Sequence, residues 1–209
     1  MKLPRLNAII DVDVAERAGW QPIHLARAYL AGGARFLQLR AKNLSGERFM
    51  ALAHAIAAAA RERDALFVVN DRADLARLAG ADGVHVGQDD LSVVAVRRIL
   101  GDTAVVGQST HTPDQLDRSL EEPVSYVALG PVFGTATKAT GYDAVGLPRV
   151  REAATRTGRV PLVAIGGISL DTAESVLEAG AASVAVIGDL IVTGDPVSRV
   201  REYCVRLDR

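Results

Sequence analysis

Along this chain, short apolar runs keep ending in polar residues or glycine. Phe36–Arg40 is followed by Lys42, Phe67–Asp71 ends in Asn-Asp, and Val84–Gly87 leads into Gln88, Asp89 and Asp90. Val105–Ser109 ends in Gly-Gln-Ser, Tyr126–Gly130 runs into a Thr/Gly/Lys loop, Leu162–Ile168 ends in a glycine pair, and Val184–Gly188 ends in glycine. Packing accounts for the apolar residues of a strand but not for Arg, Lys, Asn, Asp and Ser gathered at one end of each. A parallel sheet closed into a barrel produces that arrangement, because the C-terminal strand ends then build one site.

A second regularity supports a parallel sheet. Ala-Gly-Gly-Ala-Arg-Phe from Ala31, Ala-Gly-Ala-Asp-Gly-Val from Ala79 and Ala-Gly-Ala-Ala-Ser-Val from Ala179 each read as a helix end, a glycine, a short link and a buried strand. Recurring helix-to-strand steps mark alternating units. The strands read from the sequence are Leu6–Val12, Ala34–Ala41, Leu66–Asp71, Gly83–Gln88, Ala104–Ser109, Tyr126–Pro131, Pro161–Gly166 and Ser183–Ile187. Helices fall between them. One spans Ser45–Arg63 with Ser45 as N-cap, one starts near Asp171 with Asp171 and Glu174 at capping-box spacing, and the last starts at Pro196. The expectation is an α/β fold, a (β/α)8 TIM barrel forming one domain over residues 1–209. An open doubly wound sheet is the alternative, but the glycine fingerprint it usually carries after its first strand is missing.

A formal net charge of −1 gives no general attraction to nucleic acid or anionic membrane. The single Cys204 rules out an internal disulfide. Neither a secretory signal nor an apolar stretch of about 18 residues is evident, so the expectation is a soluble, cytoplasmic protein without membrane or nucleic-acid partners, with room for a homo-oligomer.

Several residues carry chemistry. Asp71 and Asp90 fall at or just past the ends of neighbouring strands, where two carboxylates suit Mg2+ completed by water and phosphate oxygens; helix capping is the competing reading. Arg40 and Lys42 flank Ala41 and share a face, so they suit a diphosphate, or else form a solvated rim. Asn70 and Ser109 add neutral hydrogen bonds. The loop Gly130–Gly141 offers three Thr and Lys138 to an anionic group, with Pro131 and Phe133 as anchors. Ile165–Ile168 and Ile187–Gly188 close the last two strands, where barrels often bind phosphate; a tight turn alone would also explain the glycine pair. His24 and His54 read as surface or packing residues, His85 lies inside a strand, and His111 is a weak candidate for lining the site.

Together these segments resemble the thiamine-phosphate synthase family. The resemblance rests on Gln38–Lys42, Asn70–Asp71, Gly83–Asp90, Gly107–His111, Gly130–Lys138 and Ile165–Ile168, in family order over nearly the whole chain. It implies a transferase that joins the aminopyrimidine diphosphate precursor of thiamine to a thiazole phosphate or its carboxylate, releasing pyrophosphate. It further implies that Gln38, Arg40, Lys42, Asn70, Ser109 and Lys138 hold the pyrimidine diphosphate, with Lys138, Ser109, Arg40 and Lys42 acting in catalysis. By the same carry-over, Asp71 and Asp90 hold Mg2+, and Thr135, Thr137, Gly167, Ile187 and Gly188 receive the thiazole phosphate. Ala41 stands where the family often has glutamate, Gly188 where it often has serine, and the first strand, with Asp11 and Asp13, departs from the usual ending. The alternatives are a thiazole tautomerase, whose kind typically lacks the Lys and metal Asp residues kept here, and a non-catalytic phosphate-ligand barrel.

Overall fold

The computed structural model describes residues 1–134 and 141–208. Eight strands form a closed barrel in sequence order: β1 Leu6–Asp11, β2 Phe36–Arg40, β3 Leu66–Asn70, β4 Gly83–Val86, β5 Val105–Thr110, β6 Tyr126–Leu129, β7 Leu162–Ile165 and β8 Ser183–Val186. Every neighbouring pair is parallel, and β8 closes onto β1 with Val184 opposite Leu6 and Val186 opposite Ala8. Around them lie α1 Val12–Arg17, α2 Pro22–Gly32, α3 Gly46–Arg61, α4 Ala73–Ala79, α5 Val93–Leu100, α6 Pro113–Glu121, α7 Gly146–Thr157, α8 Leu170–Glu178 and α9 Pro196–Leu207. The first strand is followed by two helices, and a short 3-10 turn, Gly188–Leu190, separates β8 from α9.

Alternation along each strand divides the core in two. Ala8 and Ile10, Leu37 and Leu39, Phe67 and Val69, and Val84 and Val86 pack outward against the helices. Ile9, Phe36, Val68, Val105, Tyr126, Ala128, Val163 and Ala185 fill the barrel itself. A strand places successive side chains on opposite faces, so each inward residue is followed two positions later by another, closer to the C-terminal rim. The three repeated segments act as expected: Gly33 and Gly80 cap α2 and α4 in the left-handed conformation, and Gly180 follows α8 with φ 105°.

Two local readings shift. The α3 helix starts after its Ser45 cap, whose hydroxyl accepts from Arg48 N at 3.4 Å, but it stops at Arg61. The expected capping box at Asp171 and Glu174 is replaced by one two residues earlier. Ser169 caps α8, and its amide donates to Thr172 Oγ1 at 3.0 Å. Asp171 instead lies in the first turn, where a carboxylate favours the helix dipole, and it pairs with Arg206.

Tyr126 decides how β5 and β6 pack inside the barrel. Its neighbour in register on β5 is Gly107, and a Cβ there would lie within the Tyr126 ring. The ring also meets Phe36 edge-on at 5.9 Å and stacks on His85 at 5.5 Å between centroids. Gly107→Ala is therefore expected to lower stability by about 3 kcal/mol, the upper end of ordinary overpacking. Denaturant unfolding of the purified variant checks this, and a loss within experimental error would show that the ring can move aside.

Candidate functional site

The C-terminal rim surrounds a cavity of about 360 Å³ that reaches down into the barrel. Its wall differs from side to side. Strands β1 to β5 contribute Asn7, Gln38, Arg40, Asn70, His85 and Ser109 beside Ile9, whereas β6 to β8 contribute Tyr126, Ala128, Val163, Ile165 and Ala185, with Ile187 and glycine-rich turns above them.

On the polar side, charge pairs order the rim. Arg40 ends β2 and forms an ion pair with Asp11, which ends β1 and is 3% exposed. The same Asp11 carboxylate caps α1 by accepting from Val14 N at 3.0 Å. One carboxylate thus fixes both a helix start and a guanidinium that faces the cavity. Lys42, just past β2, forms an ion pair with Asp71, just past β3. Asp71 has a left-handed backbone, φ 65°, which Asp tolerates better than most residues. Asp90 lies four residues beyond β4 but folds back, its Oδ2 accepting from Gly87 N at 2.7 Å.

Neither carboxylate caps a helix. The residue at the start of α4 is Arg72, and α5 is capped by Ser92, which accepts from Ala95 N at 3.2 Å. Instead Asp71 and Asp90 meet. Burial raises the Asp71 carboxyl above its usual range, the neighbouring Asp90 pushes in the same direction, and the hydrogen bond from Lys42 opposes both. Two carboxylates that disfavour each other's charge form a donor set suited to a hard cation. Among the described residues no group of three or more His, Cys, Asp or Glu is placed to hold a metal ion.

Deeper in, Ser109 Oγ is 2.8 Å from His85 Nε2, and His85 Nδ1 is 3.0 Å from the Tyr126 hydroxyl. Burial holds the Tyr126 hydroxyl in its neutral form. Gln88 Nε2 donates to the Ser109 carbonyl at 2.6 Å, tying the β4 loop to β5. His111 stacks on Tyr142 at 4.2 Å between centroids, and Tyr142 accepts from Gln115 Nε2 at 3.2 Å.

On the other side, Gly166 and Gly167 have φ 101° and 64°. A Cβ on Gly167 would lie 2.5 Å from the Gly134 carbonyl oxygen and 2.8 Å from Phe133 Cβ. The stretch before Thr135 is tied down here, with Val132 N donating to Ile165 O at 2.8 Å and Phe133 N to Gly166 O at 2.9 Å. Gly167 is therefore required by backbone geometry as well as by access to the cavity. Gly188 and Ile187 line the same end. Asp189 accepts from Leu170 N at 3.1 Å, from the Arg199 guanidinium at 2.9 Å and from the Tyr203 hydroxyl at 2.6 Å, which fixes the start of α8.

The structure thus brings Gln38, Arg40, Asn70, Ser109, Gly167, Ile187 and Gly188 to one cavity; Lys42, Asp71 and Asp90 do not line it but lie past β2, β3 and β4 at the same end of the barrel. Thr135, Thr137 and Lys138 lie outside the described residues. Three residues gain a place that the sequence reading did not give them: Asp11 as partner of Arg40, His85 as partner of Ser109, and Asn7 beside Gln38. Alternation carries the signal for all three. With Ala8, Ile10, Val84 and Val86 facing the helices, Asn7, Asp11 and His85 must face inward.

A closed parallel barrel with carboxylates and cations paired on one part of its rim, glycine turns on the opposite part and a cavity between them defines a (β/α)8 protein with a site at its C-terminal end. Comparison with known proteins narrows this class. The sequence profile described as thiamine monophosphate synthase matches residues 9–190, and the chain belongs to that family. It is 44% identical to the thiamine-phosphate synthase of Koribacter versatilis over 97% of this chain and 95% of the relative. It is 43% identical to the protein of the same name from Thermus thermophilus, over 93% and 94% respectively. The solved thiamine phosphate pyrophosphorylase of Pyrococcus furiosus superposes with a TM-score of 0.88 at 28% identity, covering 98% of this chain and 95% of that one.

Asp11 generates a prediction in two parts. Asp11→Asn keeps a cap acceptor but removes the charge that holds Arg40, whereas Asp11→Ala removes both. Denaturant unfolding should show Asp11→Ala to be less stable than Asp11→Asn by about 1 kcal/mol, the usual worth of an N-cap. Equal stabilities would mean that the cap contributes nothing. A further expectation concerns Asp71. Burial, and then Asp90 beside it, disfavour its charge, so Asp71→Asn should raise the melting temperature of the ligand-free protein at neutral pH while turnover falls. A lowered melting temperature would show that the Lys42 ion pair outweighs both burial and that repulsion.

Proposed function

We infer that this chain is a transferase that joins an aminopyrimidine diphosphate to a thiazole phosphate, giving thiamine phosphate and pyrophosphate. The observation that carries this reading is the convergence of Asp71 and Asp90 beside Lys42 and Arg40, across the cavity from the glycine turns at Gly167 and Gly188. One anion site suits a diphosphate and the other a monophosphate, with a heterocycle-sized space between them. The names of the curated relatives support the same activity.

The chemistry needs few groups. The bond from the pyrimidinyl methylene carbon to the diphosphate oxygen breaks, and its electron pair leaves with pyrophosphate. The thiazole nitrogen lone pair then forms the new carbon–nitrogen bond, leaving a thiazolium cation. The electron-rich aminopyrimidine stabilises the carbon centre between the two events. Arg40 and Lys42 neutralise the departing diphosphate, and the Ser109 hydroxyl, positioned by His85, adds a hydrogen bond. Ala128, Val163 and Ile165 line the opposite wall, where apolar side chains keep water from the cationic carbon. Asp71 and Asp90 are the residues that would hold Mg2+, which when bound supplies further positive charge to the diphosphate oxygens. Lys138 would add a contact that strengthens as the bond breaks, and Thr135, Thr137, Gly167, Ile187 and Gly188 would receive the thiazole phosphate.

A tautomerase requires neither the carboxylate pair nor the rim cations, so nothing in their arrangement favours it. A binding barrel would need only the glycine turns.

Purified protein should release pyrophosphate only when both substrates and Mg2+ are present. Excess chelator should stop turnover; undiminished turnover in chelator would remove the metal from the reading, and no release under any condition would remove the activity. Lys138→Ala should lower the single-turnover rate roughly 100-fold, the scale of one lost transition-state donor. A normal rate at saturation with weakened binding would make Lys138 a docking residue instead.

A further inference from the structure

Asn7 lies on the inward face of β1, is 1% exposed, and lines the cavity. Its Nδ2 donates to Gln38 Oε1 at 3.4 Å, and Gln38 Nε2 donates to Asn70 Oδ1 at 3.2 Å. These amides form a ladder across β1, β2 and β3. The remaining acceptor of the first member, Asn7 Oδ1, is buried and has no hydrogen-bond partner. Among the described residues two other buried side-chain oxygens share that condition, Gln108 Oε1 and Ser183 Oγ, but neither residue lines the cavity. A buried amide oxygen with no partner is costly, and native proteins seldom keep one unless a ligand or water satisfies it.

We propose that Asn7 determines specificity for the pyrimidine, with its Oδ1 accepting a hydrogen bond from the ring's exocyclic amino group. The proposal deepens the functional reading above and rests on it. An acceptor with nothing opposite it calls for a donor. The ring nitrogens of an aminopyrimidine are acceptors, so its exocyclic amine is the group that can supply the N–H. Depth agrees with this placement. Gln38 lies two residues before Arg40 on the same strand, about 7 Å further from the rim. A ring seated against the amide ladder would therefore leave its methylene and diphosphate near Arg40 and Lys42. The ladder has a second effect: by engaging both ends of the Gln38 amide, Asn7 and Asn70 fix which way that amide faces. A deaminated ring, with a carbonyl in place of the amine, would set oxygen against oxygen at Asn7.

The test compares the aminopyrimidine diphosphate with its deaminated analogue, using thiazole phosphate as co-substrate and pyrophosphate release as readout. Titration calorimetry with each pyrimidine diphosphate alone adds a binding measurement. The wild-type protein should prefer the amino substrate by at least about 100-fold in kcat/KM, since sites built to pair a polar group reject analogues that lack it. Asn7→Leu, similar in size but without an acceptor, should lose affinity for the amino substrate, leave the analogue little changed, and so collapse the preference at least tenfold. The KM for thiazole phosphate should stay within twofold. If Asn7→Leu fails to fold, Asn7→Ala carries the same comparison. An active wild-type protein with no preference, or a preference that survives loss of the Asn7 amide, overturns the assignment of Asn7 alone. A wild-type protein that releases no pyrophosphate overturns the functional reading and this assignment with it.

Discussion

Closure of the sheet between β1 and β8 is the constraint on which the site depends. In an open parallel sheet the first and last strands would lie at opposite edges, and their C-terminal residues would be far apart. Pairing of β1 with β2 sets Asp11 beside Arg40, and closure brings Ile187, just past β8, to line the same cavity from the other side. It also removes the sheet edges, so the whole backbone ladder is satisfied internally. The polar residues at the rim can then be arranged for ligands without being needed to protect an edge.

Electrostatics at that rim follow from the parallel pairing of β1 to β4, which sets their C-terminal ends side by side. Two cations and three carboxylates crowd the ends of β1 to β4, and each cation already has a carboxylate partner. Arg40 is held in place by the nearly buried Asp11, whereas Lys42 and Asp71 pair closer to solvent, where the same interaction is weaker. Asp71 also meets Asp90, so its charge is opposed on one side and favoured on the other. An anion with an accompanying cation could satisfy all five groups together, which neither ion could do alone.

Inside the rim, the barrel interior is divided by strand. Amides, His85 and Ser109 occupy one side, while Val163, Ile165 and Ala185 occupy the other. A polar wall can read the edge of a heterocycle, and an apolar wall can cover its face and keep out water. Tyr126 links the two sides. It fills the space left by Gly107, belongs to the apolar interior through Phe36, and hydrogen-bonds to His85. Its hydroxyl remains neutral because burial disfavours the phenolate, which keeps this part of the wall uncharged.

Much of this was legible in the sequence because its causes are local. The apolar runs mark the strands, the repeated Ala-Gly segments mark helix ends, and parallel order sends every C-terminal strand end to one rim; Arg40, Asn70, Asp71 and Ser109 were found in this way. The cap at Ser169 was misread because Asp171 and Glu174 offered an equally good local pattern, and only the packed start of α8, with Leu170 N bound to Asp189, selects between them. The pairs Asp11–Arg40, Asn7–Gln38 and His85–Ser109 were not legible at all, being separated by 29, 31 and 24 residues. The sequence by itself determined which face of each strand a residue occupies, because alternation is a property of the extended backbone. Only the tertiary structure decided which inward residues meet, because the stagger between neighbouring strands sets their relative heights, and loops such as the one carrying Asp90 follow no strand period.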